Sequence, residues 1–130
     1  MKRIDVALGE HGYPLFLGDG LIDRAGVLLA PIVGDGRPYI VTDETVAGHG
    51  HAARLAAALG EQCLGTSVLP PGEAHKTFPT LEGLIETLIE RGVGRSDVLL
   101  ALGGGVVGDI TGLAVGVLKR GCRHLHVPPT

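Results

Sequence analysis

Leu99-Leu100-Ala101-Leu102-Gly103-Gly104-Gly105-Val106-Val107-Gly108-Asp109 decides how this chain folds. An apolar run stops at three glycines, and a second apolar run follows them. This order predicts a buried strand over 97–102, a glycine loop, and a helix from Val107 to Lys119 that Gly121 ends. The stretch also satisfies G-x-G-x-x-G between Gly103 and Gly108. Glycines let a backbone approach a pyrophosphate, and a helix N-terminus offers free N–H groups and a positive dipole end. The usual dinucleotide fingerprint adds an acid about 20 residues further on to hold a ribose. No Asp or Glu follows Asp109. Glycines that only allow tight strand-to-helix packing explain the same letters, so both readings stand on this stretch alone.

Working outward, Leu81, Leu84, Ile85, Leu88 and Ile89 recur at helical spacing and predict one apolar helix face. Pro79 suits the first turn of that helix and Gly92 its stop. Before it, Thr66–Leu69 reads as a strand ended by Pro70-Pro71-Gly72. Pro38–Thr42 reads as another buried strand, followed by one Ala- and Leu-rich helix from about Val46 to Leu59. Residues 3–8 and 13–17 read as two short strands joined at Glu10-His11-Gly12, a hairpin signal. A short helix is expected near 21–29, and a last strand over His124–Val127. Strand alternates with helix from Pro38 onward. That predicts an α/β fold: a Rossmann-like, mainly parallel sheet with helices on both faces and an antiparallel addition from the N-terminal hairpin. Residues 1–130 are expected to form one domain.

Two further segments carry polar groups at strand ends. Gly72-Glu73-Ala74-His75-Lys76 places a carboxylate and an ammonium three residues apart. Glu73 can accept from ribose hydroxyls and Lys76 can donate to ribose or phosphate oxygens. A solvated ion pair is the simpler account of this loop taken alone. Asp43, in Val41-Thr42-Asp43-Glu44-Thr45, fits equally as a ribose acceptor and as the N-cap of the next helix. All three segments follow predicted strands, so all are expected at one edge of the sheet, where open α/β sheets carry ligands.

Composition narrows the alternatives. There are 22 glycines in 130 residues, well above the usual level of roughly 7%. Net charge is −3 with no basic block, which argues against nucleic-acid binding. Cys63 and Cys122 are too few for a disulfide framework and read as reduced thiols of a cytoplasmic protein. No secretory signal is evident at the start. Gly103–Gly105 and Asp109 interrupt the longest apolar stretch, which therefore reads as two buried elements and not a membrane span. His124 and His126 share a strand face, and His49 and His51 flank Gly50. Two ligands make a poor metal site, so these pairs read as strand and surface histidines, and no metal ligand is assigned.

The segments taken in order resemble the 3-dehydroquinate synthase family. The matching stretches are Tyr13-Pro14 with Gly18-Asp19-Gly20-Leu21, Val41 to Thr45, Gly72 to Lys76, Gly103 to Asp109, and Arg120-Gly121 leading to Val127-Pro128. The resemblance implies the NAD-binding N-terminal part of that enzyme. It implies that Asp43, Glu73 and Lys76, with Thr45 and Gly72, hold the adenosine ribose end. Gly103, Gly104, Gly105, Val106 and Asp109 would line the pyrophosphate and nicotinamide side, and Thr130 would be the last cofactor contact. Arg120 resembles the family arginine that reaches across a homodimer interface to the substrate phosphate. Pro129 stands where the family usually has Thr, so a hydroxyl donor is lost there. The family's divalent metal, zinc or cobalt, is held by a Glu and two His in a helical second half. The sequence stops at Thr130, as a truncated gene or a cut at a domain edge would, so these 130 residues are expected to lack that half and to be inactive alone. In the family, 3-deoxy-D-arabino-heptulosonate 7-phosphate becomes 3-dehydroquinate and phosphate, a step toward aromatic amino acids. Another sugar phosphate cyclase, a glycerol or iron-type alcohol dehydrogenase, and a non-catalytic nucleotide-binding or dimerisation domain remain alternative readings. Those dehydrogenases usually carry Ser or a basic residue where this chain has Val106.

Overall fold

The structure is a computed structural model and describes residues 1–7, 13–118 and 122–129. The predicted turn at Glu10-His11-Gly12, the helix stop at Gly121, and the site candidates Arg120 and Thr130 lie outside them.

Four parallel strands form the centre: β3 (Pro38–Asp43), β4 (Thr66–Leu69), β5 (Val98–Leu102) and β6 (Arg123–Val127), in the order β4-β3-β5-β6. Side chains alternate across the two middle strands because a strand has a period of two. Tyr39, Val41, Leu99 and Ala101 face α4 (Phe78–Glu90) and α5 (Gly105–Leu118). Ile40, Val98, Leu100 and Leu102 face α1 (Ala25–Val33) and α3 (His51–Leu59). Every residue of β5 is buried, as a parallel strand covered on both faces must be. Leu55 and Leu88, fully buried from the two helical layers, each contribute about 2–3 kcal/mol by leaving water.

Polar groups set the ends of these elements. Asp97 is buried and accepts from the backbone N–H groups of Arg37 (2.9 Å) and Gly94 (2.7 Å), which pins the start of β5. The Arg123 guanidinium donates to the Ile32 and Val33 carbonyls, satisfying the end of α1. At the opposite edge the buried Thr42 hydroxyl donates to the Leu102 carbonyl at 2.7 Å and ties the C-terminal ends of β3 and β5.

Several expected boundaries move. The N-terminal hairpin is present, with β1 (Lys2–Val6) antiparallel to β2 (Tyr13–Leu17), but it forms a two-stranded sheet of its own and does not extend the parallel one. All of β1 except Val6 is exposed. The single helix expected over 46–59 is two, α2 (Glu44–Gly48) and α3, because Gly50 takes a left-handed conformation (φ 83°) that breaks the run. The helix expected near 21–29 starts as a 3-10 turn at Ile22–Arg24 and continues as α1 through Pro31 to Val33. Pro31 forfeits one helix hydrogen bond, and the helix nonetheless runs on to the buried Val33. In α4, Leu84 and Leu88 are buried as expected, but Ile89 is 62% exposed. At 100° per residue it has rotated to the rim of the stripe. α5 begins two residues early, at Gly105.

Candidate functional site

The strand order dictates where a ligand can sit. From β3 the chain moves to β4 on one side, then returns past β3 to β5 on the other. Open α/β sheets bind ligands at such a reversal, beyond the C-terminal ends of the strands. The register puts Asp43 beside Leu69 and Thr42 beside Leu102. The segments beginning at Asp43, Pro70 and Gly103 therefore leave three adjacent strands at one rim.

Asp43 is partly buried, and its Oδ1 accepts from the Val46 N–H at 2.8 Å, so it caps α2. Thr45, one residue into α2, is exposed. After β4, Gly72 turns the chain (φ 94°) into a 3-10 turn, Glu73–His75. Thr77 then caps α4 through its hydroxyl, and Pro79 lies in the first turn. The capped helix presents Lys76 toward α5. Its ammonium bonds Asp109 at 2.8 Å and lies 3.7 Å from Glu73. The hydrogen bond to Asp109, then the charges of Asp109 and Glu73, hold the Lys76 pKa above its ordinary value. The solvated Glu73–Lys76 pair read from the sequence is thus part of a three-residue bridge from the β4–α4 turn to α5. Asp109 lies 33 positions from Lys76, and no spacing rule connects them.

The glycine run divides by task. A Cβ on Gly103 would stand 2.9 Å from Val107 Cγ2, and one on Gly108 would stand 2.7 Å from His126 Cε1. Gly103 is held to glycine by Val107, and Gly108 leaves room for the His126 ring. Gly104 and Gly105 are exposed, and a Cβ on either would meet nothing within 4 Å. Among the described residues nothing fills the room they leave, which opens at the N-terminus of the 14-residue α5. There the first amides have no intrahelical acceptor, and the dipole favours an anion. Val106 packs half-buried against the α4–α5 core.

Beside this rim is an open cleft of about 460 Å³ lined by Lys76, Asp109, Leu113, His124 and His126 over Gly108 and Gly112. The sequence shows that the two histidines share a strand face, but not that the face opens beside Asp109. Among the described residues no three His, Cys, Asp or Glu side chains form a metal-binding group, and no helix is long and apolar enough to cross a membrane. Cys63 and Cys122 are free thiols.

A parallel sheet covered on both faces, whose strand order reverses beside a glycine loop and a helix N-terminus, defines the doubly wound α/β class. Within that class, this chain belongs to the 3-dehydroquinate synthase family, in its N-terminal domain: the family's model matches residues 66–130, half of the chain. The 3-dehydroquinate synthase of Rhodospirillum rubrum is 45% identical over 98% of this chain, and the match spans 33% of that enzyme. The structure of ValA, a 2-epi-5-epi-valiolone synthase from Streptomyces hygroscopicus subsp. jinggangensis with NAD+ and Zn2+ bound, is 30% identical with a TM-score of 0.74, over 95% of this chain and 34% of ValA. A 2-deoxy-scyllo-inosose synthase complexed with carbaglucose-6-phosphate, NAD+ and Co2+ shares the fold at 22% identity and a TM-score of 0.75, over 98% of this chain and 35% of that one. The chain therefore spans about a third of the length of the proteins it matches.

Proposed function

We propose that this chain is the NAD-binding part of a 3-dehydroquinate synthase, a carbon–oxygen lyase acting on 3-deoxy-D-arabino-heptulosonate 7-phosphate. The observation that carries the reading is the open space over Gly104 and Gly105 at the start of α5, on the rim shared with Asp43 and the Glu73–Lys76 turn. The residues present fit a dinucleotide. Amides at the α5 N-terminus would hold the pyrophosphate, with Gly103, Gly104, Gly105 and Val106 shaping the approach. Asp43, through its second carboxylate oxygen, and Glu73 would accept from ribose hydroxyls, beside Thr45 and Gly72. Lys76 would donate to ribose or phosphate oxygens, and Asp109 would fix its position while bordering the nicotinamide side. NAD supplies reversible hydride transfer when bound, and these side chains hold and orient it. The ValA structure, related at 30% identity and holding NAD+, supports this assignment.

A catalytic zinc ordinarily takes three protein ligands. The described residues offer no such group, so no step is routed through a metal on this chain. The 130 residues assayed by themselves are expected to form no dehydroquinate. In the assembled enzyme, taken to be a cytoplasmic homodimer, Arg120 would serve the substrate phosphate from across the interface, a task suited to a bidentate guanidinium, and Thr130 would border the cofactor.

Grafting this chain in place of the first third of the Rhodospirillum rubrum enzyme tests the reading. The chimera is expected to bind NAD+ and release dehydroquinate and phosphate from the heptulosonate phosphate. A folded chimera that fails to bind NAD+ would contradict the reading; the likeness to ValA keeps another sugar phosphate cyclase as the second reading.

A further inference from the structure

His124 and His126 leave β6 on the same face and come together over α5. Their ring centroids are 5.3 Å apart in an edge-on arrangement. With metal–nitrogen bonds of about 2.0–2.1 Å, two imidazoles sharing one tetrahedral ion hold their centroids about 5 Å apart. The rings are also seated. His126 lies where a Cβ on Gly108 would be, and His124 packs over Gly112, 3.7 Å from a Cβ there. Two glycines one helical turn apart thus form a socket under each imidazole, which lowers the entropy a chelate must otherwise overcome. Among the described residues neither ring makes a hydrogen bond to the protein, and both face the cleft. Burial, then the nearby His126, hold the His124 pKa below its ordinary value. The charged groups lining the cleft, Lys76 and Asp109, are bonded to each other and largely cancel.

We propose that His124 and His126 chelate a late first-row divalent cation, with water completing its coordination, in the cleft between β6 and α5. Imidazole suits nickel, copper and zinc in this role. The site has two protein ligands, one fewer than a catalytic zinc ordinarily takes. It stands independently of the dinucleotide reading, since neither ring is assigned to the cofactor.

The test is titration of the 130-residue chain with Ni2+, followed by calorimetry and by histidine ring resonances. One equivalent is expected to broaden the His124 and His126 signals together, before those of His49, His51 and His75. Loss of even an outer partner costs a metal site roughly 10–100-fold, so His124→Gln or His126→Gln should each weaken Ni2+ binding at least about tenfold. Gly108→Ala, which removes no ligand but displaces the His126 ring, should weaken it as well, with circular dichroism confirming that each variant is folded. The double change His49→Gln with His51→Gln should leave the affinity alone. A folded His124 or His126 variant with undiminished affinity, or broadening that starts at His49 and His51, would overturn the proposal.

Discussion

Two strand-to-helix turns meet at the rim, and they are built in opposite ways. The turn from β5 to α5 is short and mostly core: Leu102, Gly103, Val107 and Gly108 are buried, and between them Gly104 and Gly105 are exposed and Val106 is half-buried. The turn from β4 to α4 is exposed from Pro71 to Pro79, and is held by the Thr77 cap and the Lys76 bridge. The first is fixed at its two ends, where Gly103 packs against Val107 and Gly108 against His126. The second takes its shape from local capping and is attached to the first by one ion pair. One turn supplies a rigid opening, and the other supplies the charges beside it.

That contrast can be broken at its strong side first. Leu102→Ala removes a fully buried side chain from beneath the glycine turn and should cost about 2–5 kcal/mol in denaturant unfolding. Gly103→Ala forces a methyl against Val107 and should cost about 1–3 kcal/mol. Its neighbour Gly104→Ala should stay within about 1 kcal/mol of the parent while weakening NAD+ binding, because its Cβ fills only the opening. On the exposed turn, Thr77→Ala loses a cap and should cost about 0.5–1 kcal/mol.

The smallest effect sharpens the comparison. Asp109→Asn should leave the unfolding midpoint nearly unchanged, since the pair is solvated. It should, however, bring the Lys76 pKa back down toward the ordinary lysine value, as read by side-chain NMR. The raised value means that the contribution of the Lys76 charge is present at neutral pH and is lost as pH rises through the folded-state pKa of Lys76. A stability loss on acidification traced to Lys76 would contradict this sign.

The same contrast explains what could be read from the sequence. The order of strands and helices after Pro38 was legible because each element buries a periodic apolar face, as Leu84 and Leu88 do in α4. So was the shared rim, which follows from strands running parallel. The break at Gly50 was not, because a glycine inside an Ala-rich run is compatible with either continuation or a left-handed turn. The separate hairpin sheet was hidden as well: local alternation predicts a strand but not the neighbour it joins. Division of the glycines into two that pack and two that open needs His126 and Val107 in place, and Lys76 meets Asp109 only through tertiary structure.

The account rests on three loops at one rim receiving a single dinucleotide, and backbone amide shifts during NAD+ titration test this most directly. Simultaneous, saturable shifts at Gly104, Gly105, the amides following Asp43, and Glu73 to Lys76 are the predicted result. Shifts confined to one loop, or an unchanged spectrum in the presence of millimolar NAD+, would contradict it.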